Sequence, residues 1–332
     1  MALMESTGTA VEAGLRELAG KIDAAACDIA AVERLSGGAT QEIWRFDLHG
    51  PNGPLGRYIL RRAPGGTRIT EGVGLEIEAR LMASAESVGV PVAEVAHVLT
   101  PEDGLGLGFV MRFVEGETLG GRIVKADHLR AARQTLAAEC GETLARIHRI
   151  PASDFPALKR ATPAELIERQ RLAYRATPIR RPVFDLALRW IADHAPPPAE
   201  PALVHGDFRN GNLMIGPDGL RAVLDWELAH VGDPMEDLGW ICVNSWRFGR
   251  IELPVGGFGT LEDLLAGYEL IAGTRIDRAA VHWWQVYGTI RWGIICASSV
   301  AAFRGDDGTM ERAMIARRTS ETEIDLLRLI AS

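Results

Sequence analysis

The sequence predicts an α+β fold in two parts, a small antiparallel β-rich N-terminal lobe and a larger helical C-terminal lobe. Three observations point there. The chain has 332 residues, more than one compact core ordinarily holds. Short β-rich runs separated by Gly- and Pro-rich turns fill residues 31–62, and further such runs reach residue 114. After Gly116 long helical patterns dominate. Strands first and helices later is the α+β signature. The boundary is placed so that residues 1–114 form the first domain and 115–332 the second.

The elements follow in order. Residues 8–21 have the amphipathic pattern of a leading helix. Glu42 to Leu48 alternates polar and apolar side chains, which suits a half-buried strand. Tyr58 to Arg62 reads as another strand. A helix is expected over 72–87, then strands over 92–98 and 107–114. The first long helix of the second domain is expected over 127–149, with Leu136, Cys140, Leu144 and Ile147 near one face. Others are expected over 163–175, 182–194, 233–247, 260–271, 279–303 and 308–330. Asp233-Pro234 is a good helix start, with Asp as the cap and Pro in the first turn.

Composition narrows the function. The chain is 47% hydrophobic and 24% charged, typical of a globular protein with a sizeable core. Its formal net charge of −8 argues against a nucleic-acid partner, which would call for a basic patch. Cysteines 27, 140, 242 and 296 lie far apart, so there is neither a zinc ribbon nor a redox pair, and reduced buried thiols are expected. The N-terminus lacks the basic and apolar segments of a secretory signal. Val286 to Phe303 is the most membrane-like stretch, but Gly288, Arg291 and Gly293 interrupt it. A buried helix is expected there, in a cytoplasmic protein with no membrane partner. The oligomeric state is not legible.

Residues 203–228, LVHGDFRNGNLMIGPDGLRAVLDWEL, carry the chemistry. Asn212 follows Asp207 by five residues, and Asp225 follows the apolar run Ala222-Val223-Leu224. Phosphoryl transfer needs such a set: a carboxylate to take a hydroxyl proton, then an Asn and a second carboxylate to hold Mg²⁺ against nucleotide phosphates. Mg²⁺ takes hard oxygen donors and keeps waters, so a sparse set suffices. The spacing H-x-D-x-x-x-x-N followed by D-W-E resembles the aminoglycoside phosphotransferase and choline-kinase-like family. The resemblance implies a protein-kinase-like fold, ATP or GTP with Mg²⁺, and a small-molecule hydroxyl as acceptor. It implies Asp207 as the catalytic base and Asn212 and Asp225 as metal ligands. Arg209 either neutralises the transferring phosphate or lies at the surface. His205 braces the loop. Asp237, in a G-D-P-x-x-D-L segment similar to the family's, ties the loop backbone down.

The nucleotide half is expected in the first domain. Ser36, Gly37, Gly38 and Thr40 lie on a small-residue turn that lets backbone N–H groups approach phosphates. A plain hairpin turn is the alternative. The position of the family's strand lysine is held here by Arg61, which keeps the charge and can grip phosphate with two donors. A one-residue slip would put Arg62 there instead. Glu78 lies on the inward face of its helix with Leu81, Met82 and Ala85, and is expected to partner the arginine, with Glu76 as alternative. Backbone groups from Arg112 to Val114 are expected to meet the base.

The acceptor is less legible. Trp246, Arg247, Trp284 and Arg291 are the candidate substrate residues, drawn from a stretch rich in Trp and Arg. A buried arginine is costly unless paired, so Arg291 either meets an anionic substrate group or a structural acid. The W-R-F-G, P-V-G-G-F-G and R-W-G segments resemble the kinase-like domain found beside acyl-CoA dehydrogenases. That likeness implies a hydroxy acid or hydroxyacyl thioester as acceptor. An aminoglycoside kinase and a regulatory pseudokinase are the alternatives. A metal hydrolase lacks a second histidine at ligand spacing.

Overall fold

The computed structural model describes residues 2–35, 41–63, 72–178, 180–305 and 309–331. The chain divides into two compact units, one of residues 1–116 with 221–228, the other of 117–220 with 229–332. Residues 221–228, which sequence placed in the second domain, thus belong with the first unit.

The first unit opens with helix α1 (Ala2–Ile22) and strands β1 (Asp28–Leu35), β2 (Glu42–Gly50) and β3 (Gly53–Ala63). Helix α2 (Leu75–Ser87) and strands β4 (Val95–Val98) and β5 (Leu107–Arg112) follow. The strands form one antiparallel sheet in the order β1-β2-β3-β5-β4. One core gathers Leu15 and Leu18 of α1 with Trp44, Phe46, Leu48, Tyr58 and Leu60 of the sheet. Alternation along β2 makes this possible, because every second side chain points the same way. The same alternation separates Arg61 from Arg62. In the β2–β3 register Arg62 stands opposite Glu42, and its guanidinium bonds the Glu42 carboxylate at 2.9 Å and the Leu105 carbonyl at 3.1 Å. Arg61 therefore faces the other way, towards α2.

The second unit is mostly helical. It begins with α3 (Gly120–Ile123), α4 (Leu136–Ile147), α5 (Pro163–Arg175) and α6 (Pro182–Asp193). Strands β6 (Ala202–Val204), β7 (Leu213–Gly216), β8 (Gly219–Val223, which runs on into the first unit) and β9 (His230–Gly232) come next. Helices α7 (Met235–Ile241), α8 (Leu261–Ala272), α9 (Arg278–Arg304), α10 (Met310–Ala316) and α11 (Thr319–Ala331) complete it. β6 pairs antiparallel with β9. α7 packs closely on α9, where a side chain at Gly239 would run into the Trp284 backbone and Cβ at 2.5 Å. Among the described residues no helix is long and apolar enough to cross a membrane.

Three expected helices come out shorter, each for a visible reason. The helix expected over 127–149 forms only from Leu136; before it lie short 3-10 turns held by Arg133, which donates to the carbonyls of Ile123 and Ala126. The one expected over 233–247 stops at Ile241. The Cys242 carbonyl is taken by the Arg247 guanidinium at 2.7 Å and the Gln285 amide at 3.0 Å, which turns the chain into a 3-10 turn at Asn244–Trp246. The last breaks between α10 and α11, where Arg318 donates to the Ser245 carbonyl.

Candidate active site

In the first unit the site residues gather around one guanidinium. Arg61, carried inward by β3, forms a short ion pair with Glu78 of α2. It also bonds Asp225 Oδ1 at 3.1 Å and the Gln41 side chain at 2.7 Å, with Glu227 at 4.0 Å. Asp225 has a left-handed backbone, φ 64°, rare for a residue with a Cβ. The next amide, Trp226 N–H, donates to Glu78 Oε1 at 3.2 Å, so α2 helps hold that bend. Glu78 Oε2 is buried without a hydrogen-bond partner. Burial pushes the Glu78 carboxyl up to about 7, against the pull of Arg61. Burial works against the Arg61 charge too, but Glu78, Asp225 and Glu227 outweigh it and hold its pKa above the ordinary arginine value.

The remaining residues expected at a nucleotide are placed unevenly. Ser36, Gly37, Gly38 and Thr40 lie outside the described residues. Arg112 is half-exposed, with its guanidinium on Glu94 at 2.7 Å and over the Tyr58 ring at 5.3 Å. The Arg112 and Phe113 amides donate to Glu94 and Arg57 carbonyls, each at 2.9 Å. Val114 takes no part in those bonds, so the hydrogen-bonding edge expected over Arg112 to Val114 narrows towards Val114.

In the second unit the loop after β6 is fastened from beneath. Asp237 of α7 is fully buried and accepts the His205 amide at 2.8 Å and the Gly206 amide at 2.9 Å. His148 Nε2 lies 3.2 Å from the same carboxylate, and its Nδ1 is 2.9 Å from the Tyr268 hydroxyl. Burial works to raise the Asp237 pKa, but the His148 bond, the His148 and His205 rings and the His205 amide together hold it below the ordinary range. His205 is itself buried, and the Asp207 amide donates to its Nδ1 at 3.2 Å.

Above this anchor stands the Asp207 carboxylate, 12% exposed. Its Oδ1 accepts from Arg209 Nε at 3.0 Å and from the Trp240 indole N–H at 2.8 Å. Its Oδ2 accepts from Asn212 Nδ2 at 2.6 Å, and the same nitrogen donates to the Asp207 carbonyl at 2.9 Å. Both Asn212 bonds use the amide nitrogen; its amide oxygen is a hard donor of the kind that could hold Mg²⁺. The Arg209 guanidinium lies 4.6 Å from the centre of the Trp246 ring, and Trp246 packs between Trp240 and Trp292. Among the described residues no cluster of three or more His, Cys, Asp or Glu could hold a metal. The oxygen donors present suit Mg²⁺ better than a soft, closed site.

The candidate substrate residues separate. Trp246 lies beside the loop, as just described. Trp284 is fully buried against Trp283 and Tyr287, which leaves it no wall to offer a ligand. Arg247 donates from Nη1 to the Ile251 carbonyl and from Nη2 to the Cys242 carbonyl, and burial lowers its pKa. Arg291 has a structural acid: its Nη1 is 3.4 Å from buried Glu236 and 3.3 Å from the Gly206 carbonyl, with the guanidinium 4.6 Å from the Trp240 ring centre. An anionic substrate group is not needed to balance it.

Sequence reasoning missed Asn210, Trp240, Glu236 and His148. Asn210 is buried and donates to the Trp246 and Gly256 carbonyls, tying the loop to the segment after α7. Trp240 follows the G-D-P-x-x-D-L segment by two residues, close enough to have been suspected; His148, far along the chain, carried no local signal.

Comparison with known proteins fits this geometry. Residues 31–274 match the phosphotransferase enzyme family. Over 220 residues, 61% of the chain, it is 29% identical to acyl-CoA dehydrogenase family member 10 of Mus musculus, of which the match spans only 20%. Among solved structures, a putative aminoglycoside phosphotransferase from Ralstonia eutropha superposes with a TM-score of 0.75 at 23% identity, covering 97% of this chain and 98% of that one. A thermostable mutant of an aminoglycoside phosphotransferase, in ternary complex with AMP-PNP and hygromycin B, gives 0.60 at 17% identity, with 97% and 98% covered. These likenesses show the protein-kinase-like fold that the catalytic motif implied. A loop that presents a hydrogen-bonded aspartate five residues before an asparagine thus comes with a matching fold and a family match over most of the chain, which belongs to the phosphotransferase enzyme family.

Proposed function

We propose that the chain moves the γ-phosphate of Mg²⁺-bound ATP to a hydroxyl group of a small organic molecule. The observation that carries this is the Asp207 carboxylate, buried, held by three side-chain donors and mounted on a loop that Asp237 fastens. A fixed carboxylate of this kind orients the acceptor hydroxyl and takes its proton as the oxygen joins phosphorus. Most of the rate in such transfers comes from positioning and charge stabilisation. Arg209, bonded to Asp207, supplies a positive charge beside it.

The donor rests on the first unit. Asp225 and Glu227 stand beside the Arg61–Glu78 pair there, so the one guanidinium is outnumbered by carboxylates. The family resemblance assigns Asp225 and Asn212 to Mg²⁺, and each carries the hard oxygen donor that this role needs. When bound, Mg²⁺ would neutralise phosphate charge. Arg61 is assigned to the phosphates and Val114 to the base. The AMP-PNP carried by one structural neighbour supports ATP as donor.

For the acceptor, Trp240 and Trp246 are core side chains, and of the aromatic group they form with Trp292 only Trp292 is partly open. The likeness to an acyl-CoA dehydrogenase family member supports a hydroxy acid or hydroxyacyl thioester. The Glu236–Arg291 pair favours a second reading, an aminoglycoside acceptor, because it removes one positive charge that would repel a polyamine. A coupled ADP-release assay decides between them. Turnover of hydroxy acids or their thioesters with little on kanamycin-like amines is the expected result; efficient aminoglycoside turnover would reverse the assignment.

A further inference from the structure

Asp207 has two carboxylate oxygens, and the fold treats them differently. An ionised carboxylate offers about four lone-pair positions, two on each oxygen. On Oδ1 both are filled, one by Arg209 Nε–H at 3.0 Å and one by the Trp240 indole N–H at 2.8 Å. On Oδ2 one is filled, by Asn212 at 2.6 Å. From this asymmetry we infer that Trp240 is a positioning residue for phosphoryl transfer: its N–H helps close Oδ1, so that Oδ2 is the oxygen that receives the acceptor hydroxyl. The inference rests on the reading of Asp207 as the group that takes the acceptor proton.

The indole is built to hold one orientation. Trp240 is 4% exposed. It lies on α7 next to Gly239, whose missing side chain lets the helix approach α9. The Arg291 guanidinium covers its ring at 4.6 Å, and Trp246 packs against it with ring centres 5.3 Å apart. Arg291 is fixed in turn by Glu236, and Glu236 Oε2 lies 3.1 Å from His230 Nε2. α7 also carries Asp237, which holds the loop backbone. One short helix thus sets both the height of the loop and the rotation of its carboxylate. An indole N–H is a donor only, so it fixes an anion without competing for the substrate proton. The proton passes from the acceptor oxygen to Oδ2 as that oxygen bonds to phosphorus and the bond from phosphorus to the leaving oxygen breaks.

The test replaces Trp240 by 3-benzothienylalanine, which keeps the bicyclic ring and puts sulfur where the N–H was, and in parallel by W240F. Phosphate release from Mg·ATP, with water as acceptor, is the activity probe. Loss of one hydrogen bond to a charged group lowers kcat about ten- to hundred-fold. The KM for ATP stays within about twofold, because the donor lies outside the nucleotide half. The thermal midpoint of the benzothienyl form stays near that of the parent, which separates positioning from folding. A second readout needs no turnover. In protein labelled with ¹⁵N-tryptophan, the indole resonance lost in W240F moves when Asp207 is replaced by Ala. Unchanged kcat in the benzothienyl form, or an indole resonance indifferent to Asp207→Ala, overturns the role of Trp240 while leaving the kinase reading standing. Full ATP turnover in Asp207→Asn would instead remove the base assignment, and the inference with it.

Discussion

Arg61 and Asp207 show two ways of holding a charge in a protein. In the first unit, Arg61 is surrounded by the carboxylates of Glu78, Asp225 and Glu227, and charge answers charge. In the second, Asp207 and Asp237 are held mostly by neutral donors: an indole, an amide side chain and backbone N–H groups. The difference separates two tasks. A cluster with more carboxylate than guanidinium gains from a cation, and so suits a metal-bound nucleotide. A carboxylate held largely by an indole, an amide and backbone N–H groups keeps its direction, which a group that orients an acceptor hydroxyl needs.

The comparison breaks most easily at Asp237. Asp237→Asn puts an NH₂ group where two backbone amides already point, and leaves buried donors without acceptors. We expect a loss of about 3 kcal/mol or more of stability, measured by denaturant unfolding. The pH dependence has a definite sign. Because the folded carboxyl titrates below its ordinary value of 3.8, its stabilising contribution is full above that value and is lost as pH falls through the folded one. A variant as stable as the parent at neutral pH would mean that the loop is held by something else.

Arg61 is the next largest test. Arg61→Ala should raise the KM for ATP about tenfold or more, the scale of a hydrogen bond between charged groups, with a smaller change in kcat. Arg61→Lys should recover much of it. An unchanged KM in Arg61→Ala would make the cluster structural only.

Glu78 gives the narrowest test, confined to one pH window. Its folded carboxyl is raised from 4.5 to about 7, so the native state keeps a proton that the unfolded chain releases between those values. The protonated form therefore contributes stability that is full below 4.5 and lost as pH rises through about 7. Glu78→Gln cannot titrate and should flatten the fall of stability over that window. An identical pH slope in parent and variant would show that Glu78 stays ionised throughout.

Much of this was legible from local pattern. The alternation of β2 and β3 gave the strands, and the Asp207, Asn212 and Asp225 spacing pointed to the family that the comparison shows. Which of Arg61 and Arg62 turns inward was not legible, because it depends on the pairing of Arg62 with Glu42 across β2 and β3. The ends of the helices were also hidden. Arg133, Arg247 and Arg318 cap carbonyls through bonds that no periodicity announces. Arg291 was found as a buried cation, but its partner Glu236 lies 55 residues away, and sequence offered no means of choosing that acid over an anionic substrate. Trp240 looked like core and is core; its single polar atom meets Asp207 only once α7 is placed.

The central claim is that this chain binds a metal-bound nucleoside triphosphate for transfer to a hydroxyl. Calorimetric titration of ATP into the parent protein and Asp225→Asn, each with Mg²⁺ and with EDTA, tests it most directly. The account predicts binding by the parent that depends on Mg²⁺, and a marked weakening in Asp225→Asn. Binding that is the same with EDTA, or no binding at millimolar ATP with Mg²⁺, would contradict it.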